Sequence, residues 1–165
     1  MTADEFVAVN FRLWQKRTRT RFNHWLLGLA LLLFGLSVSS DFARTGYISN
    51  WGTVAVLAVG ALYAFFRVQL VRYQLRRGYS KNTGLRVPTD FTFDTEMLRG
   101  QSADGRFEAR WRTLRRAVWV QPNWLLLYPT EAACYYVDLR QAQAPGTAEQ
   151  LLALVQDMGV HVQKV

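Results

Sequence analysis

The sequence predicts a membrane α-helical hairpin joined to a small cytoplasmic α+β domain, an antiparallel sheet with one C-terminal helix. Three observations predict it. Two runs, residues 22–40 and 47–66, contain no Asp, Glu, Lys or Arg. The charge is lopsided: residues 1–89 hold twelve Lys/Arg against three Asp/Glu, whereas residues 90–165 hold eight against nine. Beyond residue 90, short β-prone stretches alternate with turn signals and give way to a single helical pattern.

The runs come first. A helix needs about 20 apolar residues to cross the hydrocarbon core, and both runs reach that length. Both are apolar all round rather than striped, as lipid exposure or complete burial requires. Trp25, Phe42, Tyr47, Trp51 and Tyr63 lie near their boundaries, where amphipathic rings favour the membrane interface. The hairpin therefore spans residues 22–71. Gly28 and Gly35 on the first span, and Gly52, Ala55, Ala58, Gly60, Ala61 and Ala64 on the second, would let the helices approach closely or pair with another copy, which leaves a homo-oligomer open.

The flanks set the orientation. Arg12, Lys16, Arg17, Arg19 and Arg21 precede the first span, and Arg67, Arg72, Arg76, Arg77 and Lys81 follow the second. The connecting loop carries only Arg44, beside Asp41. The positive-inside rule then puts both termini in the cytoplasm. A cleaved signal peptide ending near Ser37-Val38-Ser39 is the rival, but more than twenty residues precede the apolar run and a second span follows it. The juxtamembrane cations Arg17, Arg19, Arg21, Arg72, Arg76 and Arg77 have two readings: they only fix topology, or they also hold anionic lipid head groups.

Residues 1–21 read as an N-terminal amphipathic helix. Thr2 and Glu5 form a capping box, and Val7, Phe11 and Trp14 recur at helical spacing. Such a helix suits the inner membrane face or a docking site on the soluble domain. Residues 72–89 read as a basic linker.

Residues 90–165 form the cytoplasmic domain. FTFDTEMLRGQS supplies one or two strands, and Asp104-Gly105 marks a hairpin answered by RFEARW. LRRAVWVQ, WLLLYP and EAACYYVDL supply further strands, with Pro122-Asn123 as a turn. Nine aromatics, among them Phe91, Phe107, Trp111, Trp124 and Tyr136, supply a core. Pro145-Gly146 is a break, Thr147 and Gln150 form a second capping box, and Gly159 stops a helix expected from about Ala148 to Met158. From about residue 88 onward the segment is expected to fold without the spans.

RFEARWRTLRR places Arg106, Arg110, Arg112, Arg115 and Arg116 around Trp111. If the strand ran through it, Arg110 and Arg112 would lie on the side opposite Trp111. These six residues are the candidate face for lipid or a partner. The bland reading is a sheet edge blunted by charge. The near-neutral balance of the domain argues against nucleic acid as the partner.

The order TADEF at 2–6, a close pair of spans, a basic segment, FTFDTE at 91–96, Trp111, WLLLY at 124–128 and a last helix resembles the YcxB-like membrane proteins. The resemblance implies a cytoplasmic domain similar to a pleckstrin-homology (PH-like) sheet or partial barrel. Members of that family mostly carry no assigned biochemical activity, and they usually show an apolar-Pro-Lys turn after the last strand. Here that position reads VDLRQ, residues 137–141, without Pro or Lys.

Function follows from what the residues offer. The chain contains no glycine-rich phosphate loop, G-x-S-x-G, H-E-x-x-H or Cys/His cluster. Its single cysteine, Cys134, excludes an internal disulfide and suits a small core position, and His24 suits an interfacial one. No cofactor, metal or catalytic residue is expected. The expected protein sits in the bacterial inner (plasma) membrane as a non-enzymatic anchored module that binds a protein partner or anionic lipid. The alternatives are an immunity or accessory factor neutralising a membrane-acting toxin, and a non-catalytic subunit of a membrane enzyme complex.

Overall fold

The computed structural model describes residues 1–165 except Ala132, Ala144 and Pro145. Pro145, half of the expected break, therefore lies outside the described residues, as does Ala132 of the expected EAACYYVDL strand. The chain divides into two units, residues 14–75 and residues 1–13 with 76–165.

The 14–75 unit is helical. Helix α1 (Ala3–Lys16) ends in it, Arg17 turns extended, and α2 (Thr18–Thr45) and α3 (Trp51–Lys81) follow. The expected helix over 1–21 is thus two helices, broken at Arg17. Helix α2 ends in a left-handed Gly46 (φ +74°) whose N–H donates to Phe42 O at 2.8 Å, a conformation glycine adopts without a Cβ clash. Asn50 Oδ1 accepts from Thr53 N at 3.1 Å and starts α3. A Cβ on Gly60 would fall 2.9 Å from Leu31 Cδ2, whereas Gly28 and Gly35 meet open space. Of the small residues, Gly60 is therefore one that sets the approach of α2 to α3. Both helices are long and apolar enough to cross a membrane, and their apolar windows are unburied. Leu26, Leu32, Leu36, Val59, Leu62 and Phe65 are all exposed.

Helix α3 runs on into the other unit as far as Lys81, so the expected linker over 72–89 is helical for most of its length. Arg, Leu, Gln and Lys all tolerate a helix, and charge alone does not mark a linker.

Among the described residues seven strands form two sheets. Strands β1 (Thr89–Phe93), β2 (Met97–Ser102) and β3 (Gly105–Arg110) make an antiparallel meander. Asp94 shapes its first turn by accepting from the N–H groups of Glu96 (2.8 Å) and Met97 (2.7 Å). The second turn closes at the Ser102–Gly105 pair, with Gly105 at φ +151°. Strands β4 (Arg116–Val120), β5 (Trp124–Tyr128), β6 (Tyr135–Asp138) and β7 (Val162–Lys164) make the second sheet, in the order β6-β5-β4-β7. Helix α4 (Ala148–Asp157) starts on the full Thr147/Gln150 capping box and is followed by Gly159 at φ +78°.

The expected sheet is antiparallel throughout; β7 departs from that and pairs parallel to β4. Among the described strands no ladder joins the two sheets into a closed barrel.

Strand alternation divides the core in two. Ala117, Leu125, Leu127 and Val137 point to one side of the second sheet and pack with Leu98, Trp111, Leu114 and Val155. Val118, Val120, Trp124 and Leu126 point to the other side and pack with Val9 of α1. Both faces of β4 and β5 are covered, which explains the unbroken apolar run WLLLY. The expectation of a self-sufficient domain from residue 88 is revised accordingly: one of its two cores is finished by a helix from the other end of the chain.

Candidate binding surfaces

The arginine segment does not act as one surface. Arg106 and Arg110 lie on β3, exposed, opposite Gln101 and Met97 of β2. Phe107 and Ala109 turn inward. The strand stops at Arg110, and Trp111–Thr113 is a 3-10 turn. The alternation expected to carry Arg112 beside Arg110 therefore ends first.

Trp111 is not on the candidate face at all. It is 4% exposed, stacks on Phe93 (centroids 6.1 Å apart) and donates its indole N–H to Asp94 O at 2.7 Å. Arg112 is exposed on the turn. Arg115 pairs with Glu131 at 3.2 Å, and the Arg116 guanidinium lies 4.5 Å from the Tyr128 ring centroid. Carboxylates are interleaved with these cations. Glu108 alternates with Arg106 and Arg110 on β3 and meets Arg99 at 3.6 Å, while Asp94 meets the same Arg99 at 3.5 Å. Backbone N–H groups of Met97 and Glu96 hold the Asp94 carboxyl below the usual carboxylate range. The outer face of the first sheet is thus a mixed-charge surface.

Of the juxtamembrane cations, Arg76 is engaged within the sheet unit by Asp4 at 2.6 Å, and Arg77 is exposed. Arg17, Arg19, Arg21 and Arg72 belong to the helical unit and are exposed. There the Arg67 guanidinium lies 5.4 Å from the Trp14 ring centroid, and the His24 ring meets Trp14 edge-on at 5.5 Å. At the far end of α2, Asp41 accepts from the N–H and hydroxyl of Ser49 beside an open hollow of about 400 Å³, lined also by Ser37, Asn50 and Thr53.

A third cluster has no counterpart in the sequence reading. Arg140, on the 3-10 turn after β6, reaches Asp138 and Glu5 of α1, both at 2.6 Å, and lies 5.4 Å from the Trp124 ring centroid. The Thr2 backbone N–H first, and the Arg140 hydrogen bond second, hold the Glu5 carboxyl below its usual range. The hydrogen bonds that Arg140 donates to Asp138 and Glu5 raise its pKa. Tyr136 donates to Asn10 Oδ1 at 3.2 Å, Arg12 donates to Gln121 O at 2.6 Å, and Tyr79 donates to Met1 O at 2.7 Å. Cys134 packs at the same seam, where burial raises its thiol pKa, and burial does the same to the Tyr136 phenol. Only the Asp138-x-Arg140 spacing hinted at this clamp; its third member is 135 residues away.

Among the described residues no three of His, Cys, Asp or Glu come together as a metal-ligand set. No protein-family model, curated protein or solved structure matches the chain.

Proposed function

We propose that the protein is a non-enzymatic, membrane-anchored binding module of the bacterial inner membrane. Its α2–α3 hairpin spans the bilayer, and its sheet unit sits on the cytoplasmic side with a YcxB-like, PH-like character. The observation that carries this reading is the pair of helices of 28 and 31 residues whose apolar windows are unburied. So much exposed apolar surface is unstable in water and is accommodated by lipid. The distribution of cations about the spans supports the orientation.

A protein is the favoured partner of the sheet unit. Its outer surface alternates cations with carboxylates, and such a pattern supplies register and specificity to a protein contact more readily than attraction to a uniformly anionic leaflet. Reporter fusions after Val165 test the topology: a cytoplasm-active reporter is expected to work and a periplasm-active one to fail. A photo-crosslinking side chain at Arg106 or Arg112 of the full-length protein, in cells, tests the partner. One discrete protein adduct, lost on Arg110→Glu, is expected; adducts to lipid alone would overturn the assignment.

A further inference from the structure

We propose that the cation-bearing end of the α2–α3 hairpin is a binding site for anionic phospholipid head groups, built around Arg67 and Trp14. The inference rests on the membrane-spanning reading and goes beyond it, since orientation alone requires no lipid site.

The helical unit contains one acidic side chain, Asp41. It lies twenty residues along α2 from Arg21, roughly 30 Å at helical rise. The other end holds Lys16, Arg17, Arg19, Arg21 and Arg67. Among the described residues none of these five makes an ion pair. Arg21 and Arg67 fall at the same end of the hairpin. The Leu31–Gly60 approach fixes the crossing, and from it Arg21 lies ten residues back along α2 and Arg67 seven residues on along α3, about 15 and 10 Å respectively.

Arg67 follows directly on Phe66, the last residue of the uncharged run, so its guanidinium is set where apolar chain gives way to head group. It is half-buried and stacked over Trp14, which the His24 ring also meets. Stacking on an aromatic face orients the planar guanidinium and leaves its N–H edge free to fork onto a phosphate. A tryptophan at this depth is a favoured interfacial anchor. The four exposed cations at the α1–α2 break add attraction, and no carboxylate of the helical unit lies at that end. The outer face of the first sheet differs on this point, because Glu108 and Asp94 lie among its arginines. The occupant is therefore a phosphodiester on a lipid carrying net negative charge, such as phosphatidylglycerol.

The test uses full-length protein in nanodiscs of equal phosphatidylglycerol and phosphatidylcholine, with native mass spectrometry of the lipids retained on ejection. Wild type is expected to retain phosphatidylglycerol preferentially. Arg67→Gln should lower the phosphatidylglycerol-to-phosphatidylcholine ratio about fivefold, the effect of one cation near a lipid surface. Replacing Arg17, Arg19 and Arg21 together by Lys should preserve the preference, and Arg67→Lys should recover only part of what Arg67→Gln loses, which separates loss of charge from loss of fold. Arg106→Gln with Arg110→Gln should leave it unchanged. Equal retention of both lipids by wild type would overturn the site while leaving the membrane anchor intact. Displacement of the retained lipid by millimolar inorganic phosphate would overturn the commitment to lipid. A chain that stayed soluble and entered no nanodisc would overturn both readings.

Discussion

Val9 is the most direct probe of how the sheet unit holds together. It is 4% exposed and packs on Val118, Val120, Trp124 and Leu126, all at most 7% exposed. Val9→Ala removes two methyl groups, which at about 0.8 kcal/mol each costs roughly 1.6 kcal/mol before any cavity contribution. In a unit of this size that lowers the unfolding midpoint by roughly 6–12 °C. Val9→Asp places a carboxylate against the same four side chains and costs several kcal/mol, a large part of the 5–15 kcal/mol that holds a typical domain. The assay is limited proteolysis of the full-length protein in detergent across a urea series, following the fragment that carries the strands. The expected order of resistance is wild type, Val9→Ala, Val9→Asp, with the last cleaved near β4 and β5 without urea. The companion test is residues 88–165 expressed alone, expected to give a collapsed amide spectrum. A well-dispersed spectrum from that fragment, or an unchanged midpoint for Val9→Asp, would refute the claim that α1 finishes the core.

Two further outcomes follow from local geometry. Gly100→Ala puts a Cβ 2.2 Å from the Phe107 ring, which is itself stacked on Tyr135 at 4.5 Å, so the ring cannot yield cheaply; a loss of about 1–3 kcal/mol is expected in the same urea series. Glu5 has a folded-state pKa below its ordinary value of 4.5, so its contribution is complete above that pH and is lost as pH falls through the lower folded value. Glu5→Gln and Arg140→Met should therefore each flatten the acid limb of a stability profile relative to wild type, and an unchanged limb would show that the clamp does not hold α1.

Most strands were legible because their cues are local. The Asp104-Gly105 turn, both capping boxes and the WLLLY run each act within a few residues. The two long helices were legible from their apolar runs, although not their ends, since backbone continues helical well past the last apolar residue. What escaped depends on distance. Val162–Lys164 is three residues with no turn cue of its own, and only the open side of β4 makes it a strand. Trp111 sat in a sequence of alternating charge and looked displayed; the chain turns after Arg110 and folds it under Phe93. The Arg140 clamp and the Val9 contact join opposite ends of the chain, and periodicity carries no information about such pairs. For the arginine face, residue types were visible, Glu108 among them, but the pairing of Arg99 on β2 with Glu108 on β3 and with Asp94 in the β1–β2 turn was not.

The docking of α1 has a consequence for the order in which the molecule is made. Arg12 and Gln121, joined across the seam, are 109 residues apart. During synthesis the helix emerges first, the hairpin next, and the strands that receive the helix only afterwards. At about 5–20 residues per second, α1 waits roughly 5–20 seconds with its apolar stripe uncovered. On the membrane-anchored reading, the bilayer interface is a nearby refuge for that stripe, and insertion of the hairpin then returns the growing chain to the side where α1 is waiting. On the same reading the long sequence separation, slow to close for a free chain, becomes a search confined to the neighbourhood of one pair of spans.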